Sequence, residues 1–421
     1  MKKNIIRFIP LFISVILLIS CVTYISTVSP QNEIQSAVTS ENTSEDASEK
    51  SVAKIENENT EEMRGIWIPY MSLTLSEDER SEEEFKKKID KIIDDCVKYK
   101  ANTIIVQVRP FGDAIYPSEI FPFSHIISGV QGENVDYDPL EYIIEKAHEN
   151  NLKVHAWANL LRIKTLQTPS KLSSNNPYMI WKNDDNEEND DYTFEYDGGV
   201  YYNPAYSEVR KLIIDGITEI VENYDVDGIQ FDDYFYPSED TDYDEKSYQS
   251  YCDTINNDNT PLSHSEWRIA NINTLISGVY AAVHNTKNDV VFGVSPQGNI
   301  ENDLKTGADV YTWCSISGYI DYICPQIYVS NEHPTLPFNN TAKQWRELVK
   351  CNSIKLYLGL GIYKAGTDAD DGSWLTCDNN IQQQIEYSRE IQTDGFMIYS
   401  YEYLDKSETK KEIQNAIAIL N

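Results

Sequence analysis

Histidine, basic residues and the loops that cradle phosphate are scarce in this chain. Its 421 residues hold 6 histidines, at 125, 148, 155, 264, 284 and 333. None stands in H-x-x-x-H or H-E-x-x-H spacing, which argues against a zinc hydrolase or a metal deacetylase. The acidic clusters from Asp240 to Glu245 and from Asp184 to Asp191 are the remaining places for a cation, and such runs read as solvated loops, so no metal is expected. No Gly-x-Gly-x-x-Gly or Walker-type loop is present, and no cofactor is expected. Gly359-Leu360-Gly361 falls inside an apolar stretch and reads as close packing. Lys and Arg number 35 against 68 Asp and Glu, a net charge of −33, which argues against nucleic acid and polyanionic lipid as partners and suits a neutral substrate. The 7 cysteines include no C-x-x-C pair. Those beyond Cys21 (Cys96, Cys252, Cys314, Cys324, Cys351 and Cys377) read as small buried side chains.

What is present begins with an address. Lys2, Lys3 and Arg7 precede an apolar run from Phe8 to Ser20, followed by Cys21, the layout of a secretory signal over residues 1–21. Leu18-Ile19-Ser20-Cys21 resembles the lipobox of bacterial lipoproteins. That resemblance implies cleavage before Cys21, a lipid on its sulfur, and a protein held at the outer, extracytoplasmic face of a cell membrane. An uncleaved signal anchor is the alternative. Residues 22–61 are Ser, Thr, Glu and Asn with almost no aromatic side chain. They cannot bury enough apolar surface to offset chain entropy, and read as a disordered tether.

From residue 62 to 421 a single grammar repeats. Apolar, β-branched runs are expected as strands at Arg64–Tyr70, Thr103–Pro110, Leu152–Asn159, the stretch Asp227–Pro237, Val290–Asn299, Asp321–Tyr328, Lys355–Tyr363 and Asp394–Tyr403. Helical spacing separates them: Phe85, Ile89, Ile92, Ile93 and Cys96 form one apolar face, and further helices are expected at Pro139–Asn150, Ser207–Tyr224, Trp267–His284, Thr341–Val349, Asn380–Ile391 and Glu408–Leu420. Near-continuous apolar strands alternating with helices indicate a parallel sheet, and their number favours a closed (β/α)8 TIM-type barrel over an open doubly wound sheet. Loops after the carboxyl ends of the strands are long: 111–138, 160–206, 235–266 and 300–319.

Barrel enzymes carry their chemistry on those ends. The sequence DGIQFDDYFYP, Asp227 to Pro237, is a strand that turns acidic, and two carboxylates at a buried strand end are costly without a purpose. Alternation places Gln230 and Asp232 on one face and Ile229, Phe231 and Asp233 on the other, so Asp232 points into the mouth. Asp233 joins it only if the strand has ended there. Glycoside cleavage needs one protonated and one ionised acid. Asp232 and Asp233 are candidates, with Glu402 across the barrel as a further partner and Asp113 and Glu119 behind it. Gln107, Arg109, His155, Trp157, Asn159, Gln326 and Tyr328 supply the amides, charges and aromatic faces that sugars bind. Arg109 and His155 read equally well as a structural pair bridging strand ends. The 29 Tyr and 7 Trp make an aromatic-lined groove plausible.

The segments MRGIWIPY, VQVRPFGDAIYPS, YDPLEYIIEKAH, KVHAWAN, VDGIQFDDYFYP, FGVSPQGN, DYICPQIY and LYLGLGIYKAG resemble, in that order, the glycosyl hydrolase-like family 10 proteins. The resemblance implies a TIM-type barrel, a glycosidase site and, as substrate, peptidoglycan glycan strands stripped of their peptides. Ala158, Leu160 and Leu161 depart from the family's pattern after the third strand, and Gln297 replaces a small residue after Ser-Pro. Tyr234 stands where chitinase-type enzymes carry their acid, so cleavage assisted by such an acid is not expected. The resulting expectation is a monomeric, membrane-tethered glycosidase acting on an extracellular polysaccharide. A non-catalytic glycan-binding lipoprotein on the same barrel is the alternative, and a solute-binding lipoprotein would need two lobes.

Overall fold

A computed structural model describes residues 61–256 and 258–420. The expected secretory segment, Cys21 and the expected tether except Glu61 lie outside them. Eight parallel strands close into a barrel in sequence order: β1 (Met63–Ile68), β2 (Thr103–Arg109), β3 (Lys153–Ala158), β4 (Gly228–Phe231), β5 (Val291–Val294), β6 (Tyr322–Ile323), β7 (Lys355–Gly361) and β8 (Gly395–Tyr399), with β8 pairing back onto β1. Outside the strands run α1 (Glu82–Lys98), α2 (Pro139–Glu149), α3 (Ser207–Asn223), α4 (His264–Thr286), α5 (Phe338–Leu348), α6 (Asn380–Glu390) and α7 (Lys410–Ala418). The fold is the (β/α)8 barrel that the alternating pattern indicates.

Two cores follow from strand alternation. Outward residues such as Ile104, Val106, Ile229, Phe231, Phe292 and Leu358 pack under the helices. Inward residues Trp67, Ile105, Trp157, Tyr322, Cys324 and Met397 fill the barrel itself. Space inside is tight at Gly228, where an added Cβ would meet the His155 ring at 2.8 Å. Helix starts follow local chemistry: the Ser81 side chain accepts from the Glu84 amide at the start of α1, Asp138 caps α2, and Ser263 with Glu266 forms a reciprocal capping box on α4.

The differences from the expected elements have local causes. β6 is only two residues long, because Pro325 has no N–H to give to a ladder. The stretch 300–319, expected as loop, forms two short helices, Ile300–Lys305 and Val310–Ser315, which stand where a long layer helix would. The excursion between β3 and α3 folds into a helix, Pro177–Asn183, and a small antiparallel sheet of Arg162–Lys164, Thr193–Tyr196 and Gly199–Tyr202. The six cysteines among the described residues are all free.

Candidate active site

β4 ends at Phe231, and the next two residues leave the ladder on the carboxyl rim. Asp232 turns toward β3. Its Oδ2 accepts from Trp157 Nε1 at 2.8 Å and from Asn159 Nδ2, and its Oδ1 accepts from the Tyr234 amide at 3.2 Å. Asp233 turns toward β6, where Gln326 Nε2 donates to its Oδ1 at 3.0 Å and to the Ser295 carbonyl at 3.0 Å. The two carboxyls fan out from neighbouring positions because the pleat that would oppose them has already stopped.

Supporting groups reach in from several strands. Gln107 Nε2 donates to Asn159 Oδ1 at 2.6 Å, and Gln107 Oε1 accepts from the Tyr70 amide at 3.0 Å, so Asn159 is held in place to serve Asp232. Arg162 donates to the Pro110 carbonyl at 3.1 and 3.0 Å and to Asn159 Oδ1 at 3.1 Å, and its guanidinium lies 4.6 Å from the centre of the Tyr234 ring. Deeper in the barrel, Trp67 Nε1 donates to Gln230 Oε1 at 2.6 Å. An aromatic wall stands beside the acids: Tyr328 and Tyr399 stack with centroids 5.4 Å apart, Trp67 lies 6.1 Å from Tyr399, and Tyr363 lies 5.9 Å from Tyr328.

Burial, then the adjacent charge of Asp233, pushes the Asp232 carboxyl up to about 7, against the opposing pull of Arg162 and the N–H donors. Burial also raises Asp233, while the Gln326 amide and Arg162 pull it back. Two carboxyls this close resist ionising together, so the pair retains a proton near neutral pH.

Asp232, Asp233, Gln107, Trp157, Asn159, Gln326 and Tyr328 thus come together at one rim. Five other expected residues do not. Arg109 should face inward with Ile105 and Gln107, but the β2–β3 register shifts between Gln107 and Arg109, and this bulge turns Arg109 outward. Its guanidinium sits 3.7 Å from the centre of the Phe121 ring, and a Cβ at Gly216 of α3 would lie 2.7 Å from it. It packs between barrel and helix, away from the acids. His155 faces inward two positions below Trp157, where its Nδ1 is 2.9 Å from the Tyr322 hydroxyl. Burial lowers its pKa to about 4, so it is a neutral ring in the barrel floor.

Glu402 follows β8 in a short turn, Tyr401–Tyr403, rather than on an extension of the strand. That turn carries it toward Lys88, whose burial-disfavoured charge it partly compensates together with Glu79. The largest charge effects on Asp232 come from Asp233 and Arg162, whereas Glu402 acts on the Tyr399 hydroxyl in the aromatic wall. Asp113 is fully buried against His125 (3.1 Å) and Gln131 (2.9 Å), and Glu119 is on the surface.

Trp67, Arg162 and Tyr399 were not singled out from sequence. Trp67 and Tyr399 carry a usable signal, since each shares the inward register of its strand. Arg162 opens the three-residue strand that follows β3, too short for a spacing rule to apply. Among the described residues no group of three His, Cys, Asp or Glu side chains is arranged to hold a metal ion.

A cleft of about 370 Å³ opens beside the acids, lined by Asp233, Gln297, Asn299, Gln326 and Tyr328. Gln297 Oε1 accepts from Asn302 Nδ2 at 3.1 Å, which leaves its amide N–H groups for the cleft.

Residues 62–376 match the family described as Glycosyl hydrolase-like 10. Glycosyl hydrolase YngK of Bacillus subtilis (strain 168) is 33% identical over 371 residues, which cover 82% of this chain and 69% of that protein. Glycosyl hydrolase DigH of Escherichia coli (strain K12) is 29% identical over 393 residues, 85% of this chain and 87% of that protein. Among solved structures, the PgaB (BpsB) glycoside hydrolase domain from Bordetella bronchiseptica superposes with a TM-score of 0.53 at 12% identity, over 84% of this chain and 98% of that one. Alpha-L-fucosidase isoenzyme 2 from Paenibacillus thiaminolyticus gives a TM-score of 0.51 at 15% identity over 85% of this chain, which spans about half (49%) of that protein. At these identities the two structures establish a shared fold.

Proposed function

Because the chain belongs to the glycosyl hydrolase-like 10 family, we propose that it hydrolyses glycosidic bonds in a cell-wall glycan, with peptidoglycan strands freed of their peptides as substrate. The observation that carries the reading is the Asp232–Asp233 pair, retaining a proton at the edge of an open, amide- and tyrosine-lined cleft. Both side-chain donors fall on Asp232 Oδ2, so its proton belongs on Oδ1. From there it passes to the leaving glycosidic oxygen as the C–O bond breaks. Asp233, whose charged form the Gln326 amide favours against burial, takes a proton from water or bonds the anomeric carbon. Water supplies hydroxyl to one product and, in balance, restores the proton. Trp67, Tyr328 and Tyr399 offer flat faces to sugar C–H groups.

The wall-glycan substrate is supported by the family resemblance and by the N-terminal layout, which would hold a monomeric barrel outside the membrane through a lipid on Cys21. The excess of acidic residues suits a substrate without dense negative charge.

Incubating the full chain with amidase-treated and untreated peptidoglycan tests the reading through released oligosaccharides. Release from the treated strands, abolished in Asp232→Asn and Asp233→Asn with glycan binding kept, is the expected result. Binding without release by the unaltered chain would overturn it in favour of a non-catalytic glycan receptor. Loss of metabolic lipid labelling in Cys21→Ala tests the anchor.

A further inference from the structure

The cleft beside Asp233 does not end at the barrel rim. A second hollow, of about 580 Å³, adjoins it and shares Gly298, Asn299 and Leu336 with it. Each has a volume in the range of ligand-binding clefts, about 300–1,000 Å³. The outer hollow is walled by Glu301 and Tyr311, on the two short helices after β5, and by Gln344, Glu347 and Lys350, in and just beyond α5.

The passage between the two is floored by backbone. A Cβ at Gly298 would lie 2.6 Å from the Gln326 carbonyl, and Trp345 Nε1 holds the Gly298 carbonyl at 3.0 Å. Only glycine lets the two strand ends approach so closely there. The walls mix one tyrosine face, 51% exposed, with amides and charges of both signs. That mixture suits hydroxyl- and amide-bearing rings rather than an apolar ligand or a dense polyanion.

We infer that the two hollows form one trough that holds several consecutive sugar units on one side of the cleaved bond, which makes the protein selective for chain length. The inference rests on the hydrolase reading of the acid pair and extends it from one bond to a polymer. A disaccharide fills only the inner cleft beside Asp233. A longer strand also meets Tyr311 and Gln344.

The test uses the full chain carrying Asp232→Asn and amidase-treated glycan strands sorted by length, with affinities read by titration calorimetry. Octasaccharides should bind at least about tenfold more tightly than disaccharides, the gain from roughly one stacked ring and a few hydrogen bonds. The added pair Tyr311→Ala and Gln344→Ala should remove most of that gain while changing disaccharide affinity less than about twofold. Both side chains are exposed, and melting curves verify that the variant folds. Affinity independent of length, or a length gain that survives the two substitutions, would overturn the trough. Digestion of the same ladder by the unaltered chain separates the two ideas. No product with length-dependent binding would leave the trough standing and remove the hydrolase, whereas product at every length with equal affinities would do the reverse.

Discussion

Replacing Asp232 by Asn should cut activity sharply and, at the same time, stabilise the fold at neutral and alkaline pH but not near pH 4. In the unfolded chain this carboxyl ionises near 3.8; in the folded protein burial and Asp233 hold it near 7. At about 1.4 kcal/mol for each tenfold change in proton affinity, the difference amounts to about 4 kcal/mol. The sign follows from the direction. Below pH 4 the group is neutral in both states and exacts nothing. As pH rises from about 4 through about 7 the unfolded state gains by ionising, and folding stability falls by that amount. Asn does not titrate, so the variant keeps what the parent loses. Its carbonyl can still accept from Trp157 and Asn159, while its amide replaces the acceptor for the Tyr234 N–H, a loss of about 1 kcal/mol at every pH. Denaturant unfolding should therefore find Asp232→Asn more stable than the parent by about 2–4 kcal/mol at pH 8 and slightly less stable at pH 4. Turnover of amidase-treated strands should fall by about 10²–10⁴. An equal stability difference at the two pH values would show that Asp232 is an ordinary, low-pKa carboxylate, and the proton-donor role would fail with it.

Removing the amide donor in Gln326→Leu should raise the Asp233 carboxyl further, moving the acidic limb of the kcat/KM profile to higher pH and lowering its plateau about 10–100-fold; an unmoved limb would detach Gln326 from the chemistry. Arg109→Met should leave kcat/KM within about threefold and stability within about 2 kcal/mol, since an outward, buried cation is exchanged for an apolar side chain at the cost of one aromatic contact. A large loss of kcat/KM in the folded variant would return Arg109 to the site. Asp244→Asn breaks a buried carboxylate that accepts from Arg268 at 2.5 and 2.8 Å and from His264 at 2.8 Å, and should destabilise the chain by about 3–5 kcal/mol in equilibrium unfolding.

The barrel was legible because its strands are buried on both faces and read as unbroken apolar runs, with helical spacing between them. The excursion after β3 was not, since strands of three or four residues carrying Arg162, Lys164 and Glu195 leave no period to detect. Within the site, strict alternation describes β4, where Gln230 and Asp232 share the inward face. It fails on β2, where one bulge between Gln107 and Arg109 turns the last residue of the strand, Arg109, outward. A partner acid from across the barrel is required only where the strand persists to the rim. β4 stops at Phe231, so the nearest carboxyl is the next residue rather than a distant one. No local pattern marks that stopping point, which depends on how β3 and β5 pair with β4.

Two acids hung from successive Cα atoms, about 3.8 Å apart along the chain, are tied together in a way that a cross-barrel pair is not. Thermal breathing of the cylinder, or rearrangement of its long loops, carries both along as a unit, and their spacing then depends on two side-chain torsions and on the amide and indole groups that pin them. On the proposed roles of the two acids and of the trough, substitutions in its walls are therefore free to change which glycan is gripped without detuning the proton donor against its partner. Divergence in this lineage should accordingly collect around Gln297 and the helices beyond β5, leaving the dipeptide at the end of β4 as the fixed point.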